Sequence, residues 1–164
     1  MDAYRVNNDK TYVKSPYAEN NFFLSVEAET TPLPTYEEKA AFLPKPIWEG
    51  HDDAIACYDY AWRTAFGNLR PANGDIRFVS NFIDTAFNGC LFMWDSSFIV
   101  MFGKYGERAF SFQKTLDNFY SNQHKDGFIC RTIYETGGGD RFSRFDPSST
   151  GPNIMPWSEW EYFS

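Results

Sequence analysis

The segment Asn88-Gly89-Cys90-Leu91-Phe92-Met93-Trp94-Asp95-Ser96-Ser97-Phe98 sets a carboxylate at a loop-to-helix junction, directly after a tryptophan. Such a pair can clamp a sugar. The pyranose ring stacks on the indole while the carboxylate accepts two hydroxyl hydrogen bonds. The plainer alternative makes Asp95 a helix cap and Trp94 a core residue, and composition and spacing alone favour that alternative.

Other candidate chemistry is weaker. Ser96 and Ser97 lack the Gly-x-Ser-x-Gly setting of a nucleophilic serine. His51-Asp52-Asp53 and His124 are too isolated to suggest a metal site. Gly137-Gly138-Gly139-Asp140 has no preceding strand and no following Gly-Lys-Ser/Thr, so a phosphate loop is not indicated. Glu159 and Glu161 diverge on a helix and cannot form a catalytic pair. Cys57, Cys90 and Cys130 are odd in number and widely spaced, which argues against a disulfide framework or a cysteine metal site. No cofactor is expected, and a reducing, cytoplasmic setting is.

The elements that would position Trp94 and Asp95 are helical. Ala54, Tyr58, Ala61, Trp62 and Ala65 recur at helical spacing, predicting a helix over 52–66 that stops at Gly67. A second is predicted after Trp94, capped by Asp95, Ser96 or Ser97, with Phe98, Ile99, Phe102 and Tyr105 following before Gly106. A third spans 107–123, with Ala109, Phe112, Leu116, Phe119, Tyr120 and Gln123 on one face. Residues 128–152 read as a long loop, of the kind that is usually functional. Pro156 to Phe163 reads as the opening of a fourth helix. Residues 1–48, broken by five prolines, read as an irregular arm with a possible short strand at Phe22–Val26. Residues 49–164 form the rest.

Composition narrows the partners. Fifteen Lys and Arg against 22 Asp and Glu leave a net charge of −7, which disfavours nucleic acid and anionic membranes. Aromatic residues make up 20% of the chain at a mean hydropathy of −0.49. That is more ring surface than one small core needs. Neither apolar run, Cys90 to Trp94 nor Phe98 to Phe102, could cross a bilayer, and Met1 to Asn8 shows no leader pattern.

Trp94-Asp95-Ser96-Ser97-Phe98 resembles the Trp-Asp-Ser/Thr-x-Phe segment of the six-hairpin glycosidases, the clan of trehalases, processing α-glucosidases and mannosylglycerate hydrolases. The resemblance extends upstream through Gly50-His51, Tyr58-Asp59-Tyr60-Ala61-Trp62, Ala65-Phe66 and Asn68-Leu69-Arg70. Downstream it takes in Asp126-Gly127-Phe128-Ile129, Gly151-Pro152-Asn153 and Pro156-Trp157-Ser158-Glu159-Trp160. It covers residues 46–164, about the first half of such a catalytic domain. It implies an all-α chain, part of an (α/α) six-hairpin toroid, and exo-acting, inverting hydrolysis of an α-linked glucoside, mannoside or disaccharide. By the same resemblance Trp94 and Asp95 line the non-reducing-sugar subsite, Phe92 and Phe98 support them, Trp157 forms a second wall and Arg131 approaches from its loop.

Inverting hydrolysis needs a carboxylic acid and a carboxylate about 6.5–9.5 Å apart. In the clan resembled, both lie on later elements, so no catalytic residue is assigned here and both are expected beyond residue 164. A toroid of about twelve helices of ~11 residues with ~4–6-residue connections needs roughly 200 residues or more. The chain thus reads as part of a toroid, with apolar helix faces open to self-association. The alternative is a non-catalytic carbohydrate-binding or interaction module; other six-hairpin chemistry, phosphorolytic or lyase, is a third possibility.

Overall fold

The structure is a computed structural model that describes residues 15–84, 88–143, 146 and 153–164. The features read at Met1–Asn8, Pro147, Gly151 and Pro152 lie outside the described residues. The chain is mostly helical with two short antiparallel ribbons, which is compatible with a mainly-α fold and adds strands that the expectation did not include.

The first long helix, α3 (Asp52–Gly67), follows two single-turn helices, α1 (Pro16–Glu19) and α2 (Tyr36–Lys39). Asp52 and Asp53 sit favourably in its first turn. It buries Trp62, Ala65 and Phe66, whereas Ala54 and Tyr58 are only half-buried and Ala61 is exposed. The predicted apolar face is therefore used at its C-terminal end. Next, β1 (Leu69–Arg70) pairs with β2 (Phe82–Ile83), Leu69 opposite Ile83. In the second ribbon β3 (Cys90–Phe92) pairs with β4 (Thr132–Tyr134), Phe92 opposite Thr132. Between these two strands run α4 (Met93–Gly103), a 3-10 segment at Phe112–Leu116 and α5 (Asp117–Tyr120); α6 (Met155–Phe163) packs back on α4.

The helix predicted over 107–123 is not one helix. Its apolar face is right, since Ala109, Phe112, Leu116 and Phe119 are all buried. Its winding is different. Ser111 leaves helical backbone (φ −79°, ψ 87°), and the next turns are 3-10 before α5 takes over. Phe112 packs so close to Gly103 that a Cβ there would lie 2.4 Å from the Phe112 Cβ. A tighter spiral eclipses residues three apart and lets Phe112, Thr115 and Asn118 face one side together. Gly106 admits a second close approach, with the Trp62 ring 2.7 Å from where its Cβ would be.

Polar residues bolt this segment to the 72–84 hairpin. Asn118 accepts from the Ser80 N–H (3.0 Å) and donates to the Ser80 carbonyl (3.0 Å), mimicking a strand partner. Thr115 Oγ1 accepts from the Ile83 N–H at 3.1 Å. The core is built as two ring-rich clusters, one around Phe78, Leu91, Val100, Phe119 and Ile133, the other around Trp62, Phe66, Leu69 and Phe112.

The stretch read as a possible strand, Phe22–Val26, instead opens on a 3-10 turn, Phe22–Leu24, capped by the Asn21 side chain. Phe23 stacks on Tyr120 at 5.2 Å, and Asn21 Nδ2 donates to the Tyr120 carbonyl at 2.8 Å. The arm is thus held to α5 by packing and hydrogen bonds rather than by strand pairing. No helix among the described residues is long and apolar enough to cross a membrane.

Candidate functional site

Strand β3 runs straight into α4. Phe92 is the residue before the first turn and offers no side-chain cap. Instead the Met93 N–H donates to the Arg131 carbonyl at 2.8 Å. The ribbon partner of β3 therefore satisfies one of the free N–H groups at the helix start. The expected caps fall inside the helix: Ser96 and Ser97 are fully buried, and Ser97 Oγ donates to the Met93 carbonyl at 2.7 Å. Asp95 is half-buried in the first turn, where the positive end of the helix dipole favours a carboxylate.

Trp94 does not pack into the core. It is 52% exposed, with Phe98 at 41% and Trp157 at 48%. Trp94 and Phe98, one turn apart on α4, meet edge to face with centroids 5.0 Å apart. Phe98 and Trp157 meet in the same way at 6.1 Å. The three rings form a contiguous aromatic face at the start of α4. Helix α6 is fixed to α4 by Ser158 Oγ, which donates to the Ser97 carbonyl at 2.7 Å, and, just past the C-terminal end of α4, by Lys104 Nζ, which donates to the Glu161 carbonyl at 2.8 Å. The Trp157 indole N–H donates to Glu161 Oε1 at 3.2 Å, which orients the ring.

Of the six residues named from sequence, Trp94, Phe98 and Trp157 form this face and Asp95 lies in the turn between Trp94 and Phe98. Phe92 is half-buried in β3, opposite Thr132, and is not among the three rings of the face. Arg131 reaches the helix start through its carbonyl, while its guanidinium stacks over Phe142 at 4.1 Å. Sequence reasoning missed Glu161 as the indole partner and Phe142 as the Arg131 partner. Trp157 and Glu161 lie four apart on a helix, a spacing that could have revealed the first. Phe142 is distant along the chain from Arg131 and carried no such signal.

Glu159 and Glu161 diverge as read. Glu161 serves Trp157; Glu159 turns inward and accepts from the Tyr120 hydroxyl (3.1 Å) and from Gln113 Nε2 (3.0 Å). The half-buried Asp117 accepts from Ser80 Oγ at 2.8 Å. Burial pushes its carboxyl up to about 6, with the Glu159 charge adding to the effect and the Ser80 bond opposing it. Among the described residues no group of three or more His, Cys, Asp or Glu could hold a metal ion; His124 pairs with Asp140 at 2.7 Å.

A groove of about 440 Å³ lies beyond the far end of α4, lined by Pro44, Tyr58, Ala61, Trp62, Phe102 and Tyr105. Its walls are almost wholly apolar, and the Tyr58 hydroxyl is spent on the Pro44 carbonyl at 2.9 Å. It lacks the directed polar groups that a sugar needs. No family model matches the chain, and no curated protein or solved structure gives a significant match.

Proposed function

We propose that the face made by Trp94, Phe98 and Trp157, with Asp95 beside it, is a sugar subsite. In this proposal the chain is the first part of a six-hairpin toroid glycosidase acting by inversion on an α-linked glucoside, mannoside or disaccharide. The observation that carries it is the half-exposed ring triad set around an acidic first turn. Large rings left in water beside a carboxylate cost the fold apolar burial, and a ligand with one apolar face and several hydroxyls recovers it.

The roles follow from the chemistry of the ligand. Indole and phenyl faces cover the axial C–H side of a pyranose. Asp95 accepts from two adjacent hydroxyls; such charge-assisted bonds contribute about 1.5–3 kcal/mol. Glu161 and Phe142 are positioning residues, holding Trp157 and Arg131. In the clan resembled the general acid and general base belong to later elements, and none of the residues proposed here takes either role.

Calorimetric titration with glucose, mannose, trehalose and short α-linked oligosaccharides tests this, comparing the wild-type chain with Asp95→Ala. Saturable binding lost at least tenfold in the variant, with the circular dichroism spectrum unchanged, is the expected result. A well-folded chain that binds none of the panel contradicts it.

A further inference from the structure

We propose that the pocket between the arm and the 72–84 hairpin binds a small zwitterion with an apolar side chain, a free apolar α-amino acid. The pocket encloses about 280 Å³. Phe23, Leu24, Val26 and Val79 line it, with Arg77 and Glu27 as its charged groups. It shares no residue with the aromatic face on α4 and α6. Its volume falls just below the range of drug-sized sites, about 300–1,000 Å³, which suits a smaller molecule.

Arg77 is held in this wall against its own backbone preference. Among the described residues it alone, glycines aside, has left-handed backbone, with φ 59° and ψ 29°. A Cβ disfavours that conformation, and glycine or asparagine adopts it more readily. Bonds on both sides keep it there. The Arg77 N–H donates to the Gly74 carbonyl at 3.0 Å. Its carbonyl accepts from Ser121 Oγ and, at 3.2 Å, from Asn122 Nδ2. The strained turn thus fixes the root of a long cationic side chain that the turn itself does not need.

The charge on that side chain is unspent. No carboxylate among the described residues lies within ion-pair distance of the guanidinium. The residue as a whole is exposed, yet partial burial of its head lowers its pKa, and no neighbouring charge is among the causes. Glu27 lines the same pocket and pairs with neither Arg77 nor any other described residue. Glu27 would oppose a ligand that is only an anion. A zwitterion uses both groups: its carboxylate takes the guanidinium fork and its ammonium the Glu27 carboxylate. The apolar side chain then covers Phe23, Val26 and Leu24, the last of which is 40% exposed. The walls are fastened beforehand. Phe23 stacks on Tyr120 at 5.2 Å, and the Glu29 N–H donates to the Val79 carbonyl at 2.8 Å.

Ligand-observed NMR titration of the full chain with L-leucine and L-phenylalanine tests this. Saturable binding of both is the expected result, with N-acetyl-leucine and leucinamide, which lack one charge each, weaker by about tenfold or more. Arg77→Asn removes the guanidinium and keeps a residue that accepts left-handed backbone. It should weaken leucine binding by a similar factor while the melting temperature stays level or rises. Glu27→Gln, an exposed substitution, should weaken leucine and leave N-acetyl-leucine unchanged. Failure of both amino acids to bind overturns the proposal, as does leucine binding that Arg77→Asn leaves intact. Equal affinity for leucine and N-acetyl-leucine overturns it as well, because the ammonium then has no partner. If Arg77→Asn fails to fold, the ligand series and Glu27→Gln still decide.

Discussion

The two ends of α4 use the same residue type for opposite purposes. At its C-terminal end Gly103 and Gly106 remove side chains so that Phe112 and Trp62 can close down on the helix, and both rings are buried. At its N-terminal end Trp94 and Phe98 stand half in water beside Asp95 and Trp157. Ring content alone therefore says little about role. For Phe112 and Trp62 the missing side chains of Gly103 and Gly106 give the room to sink.

Substitutions at the two ends should separate cleanly. Trp62→Ala removes the most buried surface at the packed end and should cost about 3–5 kcal/mol, measured by chemical denaturation. Sugar affinity per folded molecule should not change. Gly103→Ala adds helix propensity worth ~1 kcal/mol, yet drives a methyl into Phe112, so a net loss of about 1–3 kcal/mol is expected. At the presented end Trp94→Ala and Trp157→Ala should shift stability by under ~1 kcal/mol, as exposed substitutions do, while weakening sugar binding at least tenfold by titration.

A smaller effect is expected from a half-buried carboxyl outside the aromatic face. Asp117 holds a proton up to about 6 in the folded chain, against 3.8 for the unfolded residue. Stability should then decline as pH rises from about 4 to 6 and flatten beyond. Asp117→Asn should lessen that decline in pH-dependent melting curves and leave sugar affinity at pH 7.5 within about twofold.

Helix existence was legible in the sequence wherever apolar periodicity ran uninterrupted, as in α3 and α4. The apolar face of 107–123 was legible too. Its 3-10 winding was not, because it is imposed by the contact of Phe112 with Gly103 on another element. The ribbons escaped notice because strands of two and three residues leave no alternation to read. Asp95 was expected among the caps, but the cap is a long-range bond from Met93 to Arg131, which no local motif encodes. The convergence of Trp157 on Phe98 depends on α6 returning to α4 through Ser158 and Ser97, again a long-range event.

The five tryptophans offer the most direct measurement. Each indole N–H gives its own signal in an amide proton–nitrogen spectrum. Titrating the chain with an α-linked disaccharide should move the Trp94 and Trp157 signals saturably and with one common affinity, while Trp62 stays fixed. A Trp62 signal that shifts with the sugar while Trp94 and Trp157 do not would place the ligand in the apolar groove. Unmoved signals from all five at saturating sugar would contradict a sugar site on α4 altogether.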